Sequence, residues 1–460
     1  MTTSDFSSLP LTAEELANIQ SLEYLSMTPI QAQSLPAILD GKDLLAQAKT
    51  GSGKTAAFAI GLLHKLEVTN YKVQALVLCP TRELADQVTI EIRRLARAIP
   101  NTKIVTLSGG KSMDPQLASL EHQPHIVVGT PGRILKHLDK GSLKLEELKT
   151  LVLDEADRML DMGFHDEMMR VISMAPKKRQ TLLFSATYPT EIKKISNAIQ
   201  NDPVDVRIES VHDDKKIKQI FYEITAGERT GTLIALLQHY RPESSLVFCN
   251  TKQQCQELTN ELWRQGFHAL ALHGDLEQRD RDQVLIQFSN KSSSVLIATD
   301  VAARGLDIKD LSAVINYELS PDPEIHIHRI GRTGRADKEG LALSFFMNSE
   351  NFRVTAIEEF QKSPVKIESI ESLKVNENGK LIPPMVTLCI NAGRKDKVRA
   401  GDILGALTAN KELTGNQIGK IDIFDKLAYV AVAYPVAMQA LEILSEGKIK
   451  GRNFRVKKLH

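Results

Sequence analysis

Ala48-Lys49-Thr50-Gly51-Ser52-Gly53-Lys54-Thr55 ends in the Gly-Lys-Thr of a phosphate-binding loop, with Ala48 where the general pattern has its first glycine. Glycines at 51 and 53 let backbone N–H groups turn toward phosphate oxygens, and a helix starting near Lys54 adds the positive end of its dipole. In that geometry Lys54 reaches the β and γ phosphates and the Thr55 hydroxyl ligates Mg²⁺. Such a site needs an acidic group at the end of another buried strand, and Asp154 after Thr150-Leu151-Val152-Leu153 supplies it. Glu155 is then placed to orient or deprotonate water, which favours hydrolysis of ATP over transfer to a small acceptor.

These residues need strands and loops to converge them. Apolar runs rich in Val, Ile and Leu (Ala75–Cys79, Ile126–Val128, Thr150–Leu153, Thr181–Phe184) alternate with helical patterns, as in parallel sheets buried on both faces. The pattern returns at Ser245–Phe248, Ala269–Leu272, Val295–Ala298, Ala313–Asn316 and Leu341–Phe345, so two α/β domains are expected, at 1–207 and 219–372. A polar linker is expected at 208–218 and a second at 373–384. Most polar signatures directly follow the apolar runs, at the carboxyl ends of the expected strands, where open α/β sheets bind ligands.

At 460 residues the chain is long enough for two or three domains with cores of their own. Its apolar runs are too short to span a membrane, and Met1–Pro10 lacks a basic segment followed by an apolar one, so a soluble protein without a secretory leader is expected. The four cysteines lie in no zinc or disulfide spacing, which fits a reducing cytoplasm. Net charge is only +1, but residues 381–460 hold 13 Lys and Arg against 7 Asp and Glu. That suits an appended module for nucleic acid, or else a solvated lysine-rich face.

The motifs taken together resemble those of the DEAD-box RNA helicases, over residues 1 to about 370. They are the phosphate loop at 48–55, Pro80-Thr81-Arg82-Glu83-Leu84-Ala85, Thr130-Pro131-Gly132-Arg133, Asp154-Glu155-Ala156-Asp157, Ser185-Ala186-Thr187, the 298–308 segment and His328-Arg329-Ile330-Gly331-Arg332-Thr333-Gly334-Arg335. The resemblance implies two RecA-like domains that close on ATP and Mg²⁺ and bind single-stranded RNA across both. It implies that Gln31, in Thr28-Pro29-Ile30-Gln31, reads the adenine edge and that Phe6 stacks on the base. Glu23 stands before Tyr24 where the family often has glycine. Ala48, Thr50, Gly51, Ser52, Gly53, Lys54 and Thr55 would cradle the phosphates, Gly305 and Asp307 would meet the ribose, and Arg332 and Arg335 would act as arginine fingers. Asp157, Ser185 and Thr187 would couple the two activities. RNA contacts are expected from Pro80, Thr81, Arg82, Gly109, Gly110, Thr130 and Arg133, and from Thr251, Gln278, Arg279, Thr299 and Asp300. Hydroxyls, amides near glycine and arginines suit phosphates and 2′-hydroxyls rather than base edges, so the core should not read sequence.

The tail, 385–460, reads as strand, helix, strand, strand, helix, strand, the βαββαβ order of an RRM-like α+β domain. Tyr429 is the one aromatic in its third strand and the first strand has none, so stacking of several bases on the sheet is not expected. Lys395, Lys397, Arg399, Lys448, Lys450 and Arg452, with Tyr429, are the RNA-binding candidates, acting through phosphates and shape. A ferredoxin-like protein-binding domain is the competing reading. A core of this kind with this tail resembles helicases of large-subunit assembly, which implies a monomeric, cytoplasmic enzyme whose tail holds 23S ribosomal RNA while the core unwinds a neighbouring duplex. An ATP-gated RNA clamp without productive turnover is the alternative, and a DNA translocase is a further one.

Overall fold

The computed structural model describes residues 4–48, 51–110, 112–208, 217–225, 227–303, 311–334, 339–374, 381–409 and 412–459. The first domain is a parallel seven-stranded sheet of β1 (Leu44–Gln47), β2 (Ala75–Leu78), β3 (Ile104–Leu107), β4 (Ile126–Gly129), β5 (Thr150–Leu153), β6 (Gln180–Ser185) and β7 (Val204–Arg207), in the order β3-β4-β2-β5-β6-β1-β7. Successive side chains take opposite faces. Ala75 and Val77 enter one core with Val128, Val152 and Phe184, while Leu76 and Leu78 enter the other with Val127, Leu151 and Leu183. Burial on both faces is what the continuous apolar runs predict.

A second parallel seven-stranded sheet contains β8 (Ile217–Glu223), β9 (Ser245–Cys249), β10 (Ala269–Leu272), β11 (Val295–Thr299), β12 (Ala313–Asn316), β13 (Gly340–Phe346) and β14 (Lys366–Glu368), in the order β10-β11-β9-β12-β13-β8-β14. β8 starts at Ile217, inside the stretch expected to be linker. The third sheet, antiparallel, comprises β15 (Met385–Ile390), β16 (Ile418–Ile423), β17 (Ala428–Ala433) and β18 (Val456–Lys458), in the order β16-β17-β15-β18. With helices Ala400–Thr408 and Ala437–Glu446 it completes the expected βαββαβ order.

The chain divides into two compact units, one carrying the first sheet and the other the second and third sheets. Within that second unit the third sheet has two apolar faces. Val386, Leu388, Ile390, Val430 and Val432 pack under its own helices. The opposite face, with Cys389 and Tyr429, packs with Ile286 of the helix Gln278–Ser289 and with Leu459. Polar bonds flank this contact, with Thr387 Oγ1 meeting Asn290 Nδ2 and Ser292 Oγ, and Met385 N donating to Lys291 O at 3.3 Å. Among the described residues no helix is long and apolar enough to cross a membrane.

Candidate nucleotide and nucleic-acid sites

Parallel strands put all their carboxyl ends on one edge, and the strand order splits the first domain's edge in two. Adjacent β1, β6 and β5 deliver the phosphate loop, Ser185-Ala186-Thr187 and Asp154-Glu155, while β2, β4 and β3 deliver Pro80–Arg82, Thr130–Arg133 and Ser108–Gly110. In the phosphate loop Gly51 and Gly53 have φ of 84° and 97°, the left-handed region that favours glycine. A Cβ on Gly53 would also lie 2.6 Å from Gln31 Nε2. Gln31 is 1% exposed, accepts from Thr28 N at 2.9 Å and donates to Gly53 O at 3.2 Å, so the glutamine expected at the base is bonded to the phosphate loop. Phe6 lies in the domain core, 4% exposed and edge-on to Tyr24, so its ring faces offer no open stacking surface.

Lys54 is buried and donates to Ala48 O at 2.7 Å, a bond that a phosphate oxygen can replace. Asp154 Oδ1 is buried without a hydrogen-bond partner, and burial pushes its carboxyl up to about 7 although Lys54 opposes the shift and Glu155 adds to it. Ser52 Oγ is likewise buried and unpartnered. Buried acceptors without donors fit a cation and its phosphate ligands. Among the described residues no group of three or more His, Cys, Asp or Glu is placed to hold a metal ion. Glu155 has left-handed backbone (φ 53°, ψ 51°), and its Oε2 meets Arg158 Nη1 at 2.7 Å.

Asp157 links the acidic turn to the next strand. Its Oδ2 accepts from Ala186 N (3.2 Å), Thr187 N (3.0 Å) and Thr187 Oγ1 (3.0 Å). Ser185 Oγ is buried and unpartnered, while Ser185 O accepts from Ala48 N at 3.0 Å. On the other half of the edge, a Cβ on Gly109 would come 3.3 Å from Arg82 Nη2. Burial, then the nearby Arg82, holds the Arg133 guanidinium below its ordinary pKa, the signature of two cations converging on one place. Gly110 is exposed, Pro80 and Thr130 are buried, and Thr81 Oγ1 is occupied as a helix cap, accepting from Leu84 N.

Three expectations need correction, two in the second domain and one in the third. Asp300 was expected to face RNA, but Arg329 engages both its oxygens, at 2.8 and 2.7 Å. Arg279 was expected on RNA, but it lies beside Cys389 and Tyr429 of the third sheet. Arg281, two positions on, is the arginine that reaches toward His273 O and Ala302 O at the strand ends. Tyr429 is 3% exposed in the seam with the helix Gln278–Ser289, beside Gln283, and is not an open stacking platform. Thr251 Oγ1 caps its helix by accepting from Gln254 N, Gln278 Nε2 donates to Asp282, and Thr299 Oγ1 accepts from Ala302 N. Arg332 is buried, 6% exposed. Thr50, Gly305, Asp307 and Arg335 lie outside the described residues.

Arg329, part of the 328–335 motif but given no role of its own by the sequence, is 2% exposed and donates to Asn316 Oδ1, Glu318 O and Asn250 Oδ1 with its guanidinium 4.9 Å from the Phe248 ring centroid. It ties the ends of β9, β11 and β12 together. In the third domain the basic residues gather by loop convergence: Lys450 Nζ donates to Lys397 O at 2.9 Å, and Lys395 N donates to Asp425 O at 2.9 Å. Lys395, Lys397, Arg399, Lys448, Lys450 and Arg452 are all exposed.

Comparison with known proteins fits this arrangement. The DEAD/DEAH box helicase family matches residues 28–195, the helicase conserved C-terminal domain 228–337, and the DbpA RNA binding domain 387–458. The ATP-dependent RNA helicase DbpA of Escherichia coli (strain K12) is 53% identical over 451 residues, covering 97% of both chains. This chain belongs to the DbpA family of DEAD-box RNA helicases. DbpA of Bacillus subtilis (strain 168) is 35% identical over 476 residues, covering 99% of each. Among solved structures, S. cerevisiae Dbp5 bound to RNA and ADP BeF3 matches with a TM-score of 0.73 and 31% identity, covering 80% of this chain and 96% of that one. The two parallel sheets are accordingly RecA-like, the DbpA-family module is the RNA-binding domain, and the chain is an ATP-dependent RNA helicase.

Proposed function

We propose that the chain couples hydrolysis of Mg²⁺-bound ATP to local separation of short RNA duplexes while its C-terminal domain holds 23S ribosomal RNA, in the cytoplasm, as a monomer, during assembly of the large ribosomal subunit. The observation that carries the coupling is Asp157. One carboxylate in the acidic turn holds the backbone and hydroxyl of Thr187, so a shift at the nucleotide moves the next strand end.

Thr55 and Asp154 would hold a Mg²⁺ ion, which when bound would supply neutralisation of the phosphate charge. Lys54 exchanges Ala48 O for a phosphate oxygen, at little cost because its site is already desolvated. Gln31, bonded to Gly53, reports the adenine edge to the phosphate loop. Glu155 leaves Arg158 and orients water. Arg332 and Arg335 meet the γ-phosphate, and Gly305 and Asp307 meet the ribose. Arg82, Gly109, Gly110 and Arg133, with Pro80, Thr81 and Thr130, hold the RNA backbone on one domain, and Thr251, Gln278 and Thr299 do so on the other, where Arg281 takes the place of Arg279.

The C-terminal domain contributes its exposed loop cations rather than its sheet. Phosphate contacts of that kind give salt-dependent binding that follows RNA shape. The experiment is steady-state ATPase at one fixed salt concentration with no RNA, unrelated RNA, 23S ribosomal RNA fragments and matched DNA. Strong activation by 23S fragments alone supports the reading. Equal activation by every RNA removes the ribosomal assignment.

A further inference from the structure

Gln116 has no part in the reaction described above, yet its side chain connects two of the segments that hold RNA. It lies in the helix Asp114–Leu120 and is 7% exposed. Its Nε2 donates to Ser108 O at 3.0 Å, at the base of the Ser108–Gly110 loop. Its Oε1 accepts from Arg133 Nη1 at 3.2 Å and meets His137 Nε2 at 3.1 Å. The amide can face only one way, since a carbonyl must meet its NH₂ and a guanidinium its oxygen. His137, wholly buried, therefore carries its proton on Nε2, and its Nδ1 meets Ser142 Oγ at 2.9 Å. Burial, then Arg133 and Lys140, hold its pKa below the ordinary value and so disfavour the charged ring.

Arg133 needs such an anchor. Arg82 nearby carries like charge, so an acceptor fixed in the fold narrows the rotamers open to Arg133 before any phosphate arrives. A buried amide that accepts from Arg133 and donates to the Ser108 carbonyl sets the distance between the arginine and the glycine loop in advance of RNA.

We infer that Gln116 is a positioning residue for RNA, a buried amide braced by His137 that presents Arg133 and the Ser108–Gly110 loop as one preorganised phosphate grip. The inference rests on the reading that Arg133 and this loop bind the RNA backbone.

The test is RNA-stimulated ATPase of the full chain, titrated with RNA, for Gln116→Ala, Arg133→Ala and the double variant. Loss of a hydrogen bond to a charged group predicts that Gln116→Ala raises the RNA concentration for half-maximal stimulation by about tenfold, with the rate at saturating RNA changed less than about twofold. In the Arg133→Ala background the same change should add less than about twofold, because both act through one guanidinium. If Gln116→Ala does not fold, judged by circular dichroism, Gln116→Met keeps the volume and serves in its place. An unchanged half-activating concentration, a fall in the saturated rate alone, or full additivity with Arg133→Ala overturns the inference while the RNA grip stands. If Arg133→Ala itself leaves RNA activation unchanged, the grip reading fails and the inference falls with it.

Discussion

Glu155 and Arg158 form a buried ion pair at 2.7 Å across the first turn of the acidic helix, with side chains 3% and 9% exposed. The carboxylate proposed to orient water is thus held by its own helix until nucleotide enters, and its left-handed backbone stores strain at the same point. Glu155→Gln keeps the shape and removes the base. It should bind ATP and RNA yet hydrolyse at least about a hundredfold more slowly in single-turnover assays. Wild-type turnover in this variant would remove Glu155 from the role.

Arg158→Met should be costly for a different reason. Removing one partner leaves a buried carboxylate without its counter-charge, a loss of about 3 kcal/mol in chemical denaturation of the full chain. A change below about 0.5 kcal/mol would mean that water or another cation replaces the arginine.

Asp154 makes the site pH-dependent. Burial pushes its carboxyl up to about 7 in the folded chain, against 3.8 for an ordinary aspartate, so the folded form binds the proton more tightly than the unfolded one does. Its contribution to stability is therefore present below about pH 4 and lost as pH rises through 7. Mg²⁺ competes with that proton, so the Mg²⁺ concentration for half-maximal ATPase should fall as pH is raised from 6 to 8. Isothermal calorimetry in two buffers should show proton release at pH 6 and little at pH 8. Equal release at both would contradict the assignment.

The seam between the third sheet and the helix Gln278–Ser289 predicts a separation of roles. Tyr429→Phe keeps the buried ring and should leave affinity for a 23S hairpin within about twofold, whereas reversing the charges of Lys397, Lys450 and Arg452 should weaken it more than about tenfold. Filter binding at fixed salt decides, and a large loss in Tyr429→Phe would return the sheet face to the RNA.

Much of this was legible in the sequence, and the exceptions have physical reasons. Strands buried on both faces, such as Thr150–Leu153, announce themselves by unbroken apolar runs, but strands with polar residues among the apolar ones do not. β7 (Val-Asp-Val-Arg) and β8 (Ile-Lys-Gln-Ile-Phe-Tyr-Glu) mix polar residues into the run, so the start of β8 reads as linker. Phosphate-loop and acidic-turn residues were found because their spacing is local. Arg329, Gln116 and the seam at Tyr429 join segments far apart in the chain, where spacing carries no signal. Arg279 and Arg281 lie two positions apart on one helix and so do not share a face, which the family resemblance alone does not resolve.

Glu23 is the local exception that the structure explains. Its φ is 66°, the conformation for which the family's glycine is suited, so Glu23→Gly should raise stability by roughly 0.5–1 kcal/mol in chemical denaturation. A destabilisation would mean that contacts of the glutamate outweigh the backbone strain.

The central claim is that the C-terminal domain tethers an ATP-driven helicase. The most direct measurement is strand separation of a short duplex with and without an adjoining 23S ribosomal RNA hairpin, for the wild-type chain and Glu155→Gln, with ATP. Rapid separation by the wild type only when the hairpin is present, and loss of repeated turnover in Glu155→Gln, is the predicted result. Equal separation without the hairpin would contradict the tether, and ATP-dependent RNA binding without repeated separation by the wild type would point to an ATP-gated clamp.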